Sequence, residues 1–168
     1  MGNTVIEKII RHNTGKDVKP GDIVTVNVDR VMIHDIFIPF VGDKFEEMGF
    51  TKLWDPDKVV LIYDHLVPAS QVDDTRHFHK GDEFAKKYGM KNVHRSDGIC
   101  HQLMTEAGYV KPGDVVFGTD SHTTTAVSVH SLPESATQRW RASLERVRCG
   151  SKCRRRSKLS SKASCRKM

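Results

Sequence analysis

Apolar residues near the start of the chain recur at the spacing of one helix face. These residues are Val5, Ile6, Ile9 and Ile10. Thr4 and Glu7 have the spacing of a capping box, in which each side chain accepts a hydrogen bond from the other residue's backbone N–H. The pattern predicts a helix over residues 4–13, ended by the turn residues that follow it.

Three further segments have the character of strands. Residues 23–28 follow the turn Lys19-Pro20-Gly21-Asp22, and residues 115–118 follow the same tetrapeptide at 111–114. Residues 59–63 form a continuous apolar run between polar neighbours. Such a run is typical of a strand buried on both faces, which makes it the best candidate for a central strand.

Two more helices are predicted between these strands. Residues 73–88 are polar apart from one apolar stripe, and they end at a glycine as helices often do. A shorter helix is expected over residues 101–107. Helices that alternate with buried strands favour a layered α/β domain, with a mostly parallel sheet and flanking helices, over residues 1–125.

The hydrophobic pattern stops after Thr125. Residues 126–168 hold 12 Lys or Arg against 2 acidic residues, whereas residues 1–125 hold 15 against 19. With so little to bury, this part is expected to be a disordered basic tail, with at most a weak helix over 137–147. Its cysteines, Cys149, Cys153 and Cys165, fit no common zinc or iron–sulfur spacing.

The charge of the tail allows an alternative function. A basic arm could bind nucleic acid through counterion release, on a domain that is not catalytic. The tail has one aromatic residue, Trp140, and so offers no stacking platform for bases, which disfavours nucleic acid as a partner. No apolar run approaches the roughly 18 residues of a membrane helix, and the N-terminus lacks signal-peptide features. A soluble, cytoplasmic protein without a membrane partner is expected.

Candidate chemistry follows the predicted strands. Asp64-His65 comes after one strand and Asp120-Ser121-His122 after another, where parallel sheets place their sites. A histidine beside a carboxylate is a tunable proton carrier, because the carboxylate fixes its tautomer. A second possibility is a mononuclear metal site made of His77, His79, His94 and His101. Rings two residues apart on a helix point roughly 200° apart, which disfavours that site.

Three motifs occur in a characteristic order: DHLVPAS at 64–70, GICHQ at 98–102 and GTDSHTTT at 118–125. Together they resemble the aconitase superfamily over about residues 4–125. His34-Asp35 fits the branch that contains the isopropylmalate, homoaconitate and dimethylmalate dehydratases. The resemblance implies an incomplete aconitase-type N-terminal domain.

The resemblance also implies a hydro-lyase that dehydrates or isomerises a 2-hydroxy di- or tricarboxylic acid held on a [4Fe–4S] cluster, as in leucine biosynthesis. It assigns the pair that protonates the departing hydroxyl to Asp64 and His65. It assigns a second pair and a further histidine to His101, Asp120 and His122. It places the substrate beside His34 and Ser121.

The same resemblance implies that essential groups lie elsewhere. The family's cluster ligands are one cysteine and a later C-x-x-C, all C-terminal to GTDSHT, so this chain is expected to supply no metal ligand, and Cys100 is not one of them. The catalytic base, a serine, comes from another domain or from a small partner subunit. The chain is therefore expected to be an N-terminal fragment that is inactive alone and poorly soluble.

The chain departs from the family pattern at one point. Relatives continue after GTDSHTTT with Tyr-Gly and a Gly-rich stretch, whereas this chain continues AVSVHSLPES. The abrupt change suggests the hypothesis that a frameshift near codon 125 replaced the rest of the protein with out-of-frame sequence.

Overall fold

A computed structural model describes residues 3–123 and, beyond them, the backbone of two short strands. The helices are α1 (Val5–Thr14), α2 (Ile38–Glu47), α3 (Val72–Lys87) and α4 (Cys100–Glu106), and a 3-10 turn spans Pro56–Lys58. The strands are β1 (Ile23–Asn27), β2 (Arg30–His34), β3 (Val59–Tyr63), β4 (Asn92–Arg95), β5 (Val115–Gly118), β6 (Leu132–Ser135) and β7 (Arg148–Lys152).

Five strands form a parallel sheet in the order β4-β3-β2-β5-β6. The remaining two, β1 and β7, pair with each other in an antiparallel ladder. In the large sheet, β2 lies in the middle, with β3 on one side and β5 on the other. The carboxyl ends of these three strands therefore meet at one edge of the sheet.

Successive residues of the inner strands point to two different cores. On one face Val31, Ile33, Leu61 and Phe117 join a large cluster that includes residues of α1, α2 and α3. On the other face, strand residues pack with α4 in a smaller cluster of buried residues: Met32, Val60, Ile62, Cys100, Met104, Val110 and Val116. The sheet thus lies between two helical layers, which confirms the predicted α/β class.

The predicted elements of the first 123 residues are present with small shifts at their ends. Thr4 and Glu7 form the expected capping box at the start of α1. All five residues of β3 are buried, as the continuous apolar run predicts. The two repeated turns have Gly21 and Gly113 at positive φ, 107° and 96°, the conformation for which glycine is suited.

Within residues 3–123, two strands and one α-helix differ from the sequence-based expectation, and one predicted strand has an unexpected partner. The elements that the sequence analysis does not predict are β2, α2 and β4. At the start of α2, Phe37 makes no side-chain capping bond, so the start signal there is limited to Pro39 in the first turn. β4 is a short edge strand with no fully buried residue, so its pattern is not apolar. β1 lies outside the large sheet. The middle strand of the large sheet is β2 rather than β3.

Two strands lie within the segment expected to be a disordered tail. β6 adds to the free edge of β5, and β7 pairs with β1. Strand addition at an edge uses main-chain groups, so it needs no apolar pattern and leaves little trace in a sequence. The weak helix predicted over 137–147 and the cysteines at 153 and 165 lie outside the described residues. Among the helices that the structure describes, none has the length and apolarity needed to cross a bilayer.

Candidate active site

The carboxyl edge of the sheet gathers the polar residues singled out by the sequence. His34 ends β2, Asp64 and His65 follow β3, and Asp120 follows β5 by two residues. His101 approaches from the first turn of α4, which starts above the same edge. Since β2, β3 and β5 are parallel neighbours, segments far apart in the chain converge here.

Asp64 joins β3 to α4. One carboxylate oxygen accepts a hydrogen bond from His65 Nδ1 at 2.7 Å, and the other accepts one from the Cys100 backbone N–H at 2.7 Å. Burial alone would raise the pKa of Asp64, but the hydrogen bonds from Cys100 and His65 outweigh burial and hold the pKa below its ordinary value. A carboxylate at this position orients the imidazole of His65, with Nε2 left for other contacts.

Asp120 is the acceptor of a second cluster of hydrogen bonds. Its Oδ2 lies 2.8 Å from His101 Nε2, and its Oδ1 accepts from the His122 backbone N–H at 3.0 Å and from Ser121 Oγ at 3.1 Å. Burial opposes ionisation of Asp120, yet the hydrogen bonds from His122, His101 and Ser121 together hold its pKa well below the ordinary carboxyl range. Asp120 is therefore an anion at neutral pH.

The two histidine–carboxylate pairs meet across the top of the sheet. His65 Nε2 lies 3.7 Å from Asp120 Oδ2, the oxygen that also contacts His101. The side chain of His65 keeps 33% of its surface exposed, whereas that of His101 keeps 15%. His65 therefore faces solvent at the mouth of the cluster, and His101 lies deeper.

His34 forms the floor beside these pairs. Its ring lies against that of His65, with centroids 4.4 Å apart, and its Nδ1 is 2.6 Å from Thr119 Oγ1. Burial is the largest cause that lowers the pKa of His34, and the neighbouring His65 lowers it further. His34 is neutral near pH 7 as a result, and it can donate or accept a hydrogen bond without adding charge.

Asp35 holds the His65 loop in position. The carboxylate is fully buried and accepts hydrogen bonds from the backbone N–H groups of Ile36, His65 and Leu66, at 2.9, 3.3 and 2.8 Å. It therefore connects the end of β2 to the loop after β3 through main-chain groups. The motif letters alone mark Asp35 as a branch signature and do not reveal this role.

Ser121 and His122 lie on the outer rim of the cluster. Ser121 Oγ is 3.0 Å from His122 Nδ1, and that nitrogen is 3.4 Å from Asp120 Oδ1. The His122 side chain is 81% exposed. Both residues are thus exposed to solvent at the edge of the cluster.

The structure brings all seven predicted site residues to one place. They are His34, Asp64, His65, His101, Asp120, Ser121 and His122. Sequence reasoning missed Thr119, whose hydroxyl contacts His34, and the buried carboxylate of Asp35. It also gave no role to the buried Cys100, which lies between the two pairs. A detectable signal for Asp35 is its place two residues after the apolar run 31–33.

The alternative metal site is not formed. Among the described residues, the groups of potential metal ligands include His101 but none of His77, His79 and His94. His94 instead contacts Asp97 and Tyr109, both at 2.7 Å. His77 contacts the backbone carbonyl of Asp73 within its own helix.

Known proteins match the segment of the chain that holds these residues. The sequence profile of the Aconitase family (aconitate hydratase) matches residues 7–132, which includes every site residue above. This chain belongs to the aconitase family. Similar aconitase-family proteins are 3-isopropylmalate dehydratase large subunit 1 of Methanopyrus kandleri, 43% identical over 126 residues, and the large subunit from Sulfurihydrogenibium sp., 41% identical over 128 residues. A protein named probable 3-isopropylmalate dehydratase large subunit, from Methanosarcina mazei, is 43% identical over 124 residues.

Each match covers most of this chain but a smaller share of the relative. The match to the Methanopyrus kandleri protein includes 74% of this chain and 30% of that protein. The match to the Methanosarcina mazei protein includes 71% of this chain and 30% of that protein. The matched segment thus spans 30% of the length of these aconitase-family relatives.

The described residues do not fit the iron–sulfur cluster that the aconitase resemblance implies. Such clusters are held by several cysteine thiolates. The described side chains include one cysteine, Cys100, which is free and buried. Burial, and then the hydrogen bond and negative charge of Asp64, raise the pKa of the Cys100 thiol far above its ordinary value. This part of the chain therefore offers proton-handling groups and no cluster ligand set.

Proposed function

We propose that residues 3–123 supply the acid–base part of a hydro-lyase site that removes water from a 2-hydroxy acid, as in a 3-isopropylmalate dehydratase. One observation carries this assignment: the approach of His65 Nε2 to Asp120 Oδ2 at 3.7 Å, which joins two histidine–carboxylate pairs at one edge. Family membership and relatives named as 3-isopropylmalate dehydratase large subunits support it.

In the proposed reaction, the C–O bond of the substrate breaks as its hydroxyl gains a proton and leaves as water. His65 is the proposed proton donor, because its side chain is 33% exposed and its Nδ1 is held by Asp64 at 2.7 Å, which leaves Nε2 for the substrate. The Asp64 carboxylate accepts the hydrogen bond from Nδ1 and fixes the ring in position.

His101 and Asp120 are proposed to reload the proton donor. Asp120 Oδ2 contacts His101 and lies 3.7 Å from His65 Nε2, so a water molecule that contacts both side chains would return a proton to His65 after the transfer. The base that removes the carbon-bound proton is proposed to lie in another part of the enzyme.

Ser121 and His34 are proposed to bind the substrate. Ser121 is exposed at the entrance, where its hydroxyl can donate to a substrate carboxylate. His34 can donate a hydrogen bond while neutral, so it orients the substrate without repelling His65 by charge. His122, beside Ser121, adds a donor at the same entrance.

The complete enzyme is proposed to require more than this chain supplies. A [4Fe–4S] cluster held by cysteines outside the matched segment and a small subunit are its proposed further components, in a cytoplasmic enzyme. The relatives' name, large subunit, supports the partner. The 168-residue chain alone is proposed to be inactive.

A chimera tests the assignment. Residues 3–123 replace the matching segment of the Methanopyrus kandleri large subunit, which is 43% identical, and the chimera is assayed with its small subunit on 3-isopropylmalate. We expect dehydration of 3-isopropylmalate, and a loss of kcat of at least about 100-fold for His65→Ala or His101→Ala, the lower range for a general acid.

Surface His77→Ala serves as the matched control and should keep the activity of the chimera. Full turnover in the His65→Ala chimera, or an inactive parental chimera that folds and binds its cluster, would rule out the proposed function.

A further inference from the structure

Cys100 lies between the two histidine–carboxylate pairs and belongs to two groups of metal-ligand atoms. One group is Asp64, His65 and Cys100; the other is Cys100, His101 and Asp120. Within each group the ligand atoms all lie within 4.8 Å of one another. To these imidazoles and carboxylates Cys100 adds a thiol, which the proposed acid–base function does not use.

The distances suit a tetrahedral ion. Two nitrogen or oxygen ligands bound at about 2.0 Å in a tetrahedron lie about 3.3 Å apart. His101 Nε2 and Asp120 Oδ2 are 2.8 Å apart, and His65 Nε2 and Asp120 Oδ2 are 3.7 Å apart. The ligand–ligand distance of a tetrahedral ion lies between these two values. Movement by about half an ångström would place His101 and Asp120 around an ion.

We propose that this chain binds one zinc ion through Cys100 Sγ, His101 Nε2 and the Asp120 carboxylate. The fourth position faces the mouth of the cluster, where His65 lies. Thiolate with imidazole is the ligand combination that zinc prefers over magnesium or calcium, which take oxygen ligands.

The protonated state of Cys100 without metal does not oppose this site. Zinc displaces the thiol proton and the proton shared by His101 and Asp120, and both protons pass to solvent. A bound dication reverses the local electrostatics, because a coordinating thiol is deprotonated outright. The three ligand side chains are at most 15% exposed, so water competes weakly for the ion.

The zinc site goes beyond the proposed dehydratase function and does not depend on it. Binding takes His101 and Asp120 out of proton transfer, so the same residues serve either as an acid–base pair or as metal ligands. The measurement below needs neither substrate nor turnover, which keeps its outcome separate from that of the chimera.

Cobalt(II) titration of the full chain tests the site. The background is a triple variant, Cys149→Ser, Cys153→Ser and Cys165→Ser, which leaves Cys100 as the one cysteine. We expect one cobalt per chain, tetrahedral d–d absorption and a cobalt–thiolate charge-transfer band, all removed by competing zinc. In this background a thiolate band must arise from Cys100.

Three single variants distinguish the ligands from a neighbouring histidine. Cys100→Ser should abolish the charge-transfer band, and His101→Ala should weaken cobalt affinity at least about tenfold, as even outer groups of metal sites do. His94→Ala, outside the ligand groups, should change neither. Circular dichroism of each variant reports folding.

The cobalt spectrum of the background protein decides the outcome even where a variant fails to fold. Absence of a thiolate band in the folded background protein would overturn the site. Binding of more than one cobalt per chain with no effect of Cys100→Ser would do the same.

Discussion

Asp120 accepts hydrogen bonds on both carboxylate oxygens, and this pattern holds its pKa below the ordinary value of 3.8. The unfolded chain lacks these donors, so it takes up protons at a higher pH than the native protein does. A group with a depressed native pKa stabilises the fold above the unfolded pKa, and that stability is lost as the pH falls through the native pKa. Asp120 therefore makes the fold sensitive to acid.

We expect Asp120→Asn to lower the thermal midpoint at pH 7, because the amide cannot accept all of these hydrogen bonds. Below the ordinary carboxyl pKa of 3.8, the midpoint of the variant should fall less steeply with decreasing pH than that of the native protein. Calorimetry over about pH 2 to 7 measures both curves. Asp43→Asn, which removes a surface ion pair with Lys80, is the control and should leave the slope unchanged. Equal slopes for Asp120→Asn and native protein would contradict the expectation.

Asp35 is a positioning residue, since its buried carboxylate contacts the His65 loop through backbone N–H groups. Asp35→Ala leaves the N–H groups of His65 and Leu66 without this acceptor, and each unsatisfied group costs about 1–3 kcal/mol. Denaturant unfolding should show a loss of about 2–6 kcal/mol, the sum for the two groups, against less than about 1 kcal/mol for exposed Asp43→Ala. Equal losses for the two variants would refute the role of Asp35.

The sequence predicts the site residues better than it predicts the residues that hold them in position. His65, His101 and Asp120 stand in recognisable motifs at strand ends, so their convergence follows from a parallel sheet. Thr119 and Asp35 act through hydrogen bonds with His34 and with the backbone of the His65 loop. Such contacts depend on the relative position of β2, β3 and β5, which motif letters do not specify.

Helix α3 meets strand β3 at a glycine. A Cβ on Gly81 would collide with the Tyr63 hydroxyl and lie 3.0 and 3.2 Å from two ring carbons. The Tyr63 hydroxyl donates to Asp82 Oδ1 at 2.8 Å, and the ring is buried, so the tyrosine has little freedom to move. Close packing, rather than backbone conformation, requires glycine here.

We expect Gly81→Ala to destabilise the protein by about 1–3 kcal/mol, although alanine favours helices by about 1 kcal/mol over glycine. In a Tyr63→Phe background, which lacks the colliding hydroxyl, the same change should cost clearly less. Denaturant unfolding of the four proteins of this double-mutant cycle gives the coupling energy. Additive effects would show that the collision does not occur.

Elements with strong local signals were predictable, and those with weak ones were not. The capping box of α1 and the apolar run of β3 are local signals, and each is enough to predict its element. β4 has no fully buried residue, and α2 lacks a side-chain cap at Phe37, so tertiary contacts define both. Strand order is also a tertiary property, which is why β2 was missed as the middle strand.

At the scale of the whole molecule, the composition changes after Thr125 from a balanced to a strongly basic chain. We propose a frameshift near that codon as the cause. One of the other two reading frames downstream should then encode Tyr-Gly followed by a Gly-rich stretch of small residues. Translation of the gene in those frames measures this directly. Two frames without such a stretch would exclude the hypothesis.

The middle position of β2 determines when the site can form during synthesis on the ribosome. β2 is translated early, but its neighbour β5 is Val115–Gly118, and the hydroxyl that contacts His34 belongs to Thr119. Until that later segment leaves the exit tunnel, the nascent chain has an open β2 edge and an unsupported His34. The histidine cluster is therefore completed late, and a ribosome stalled before residue 119 carries a sheet that nascent-chain chaperones can recognise.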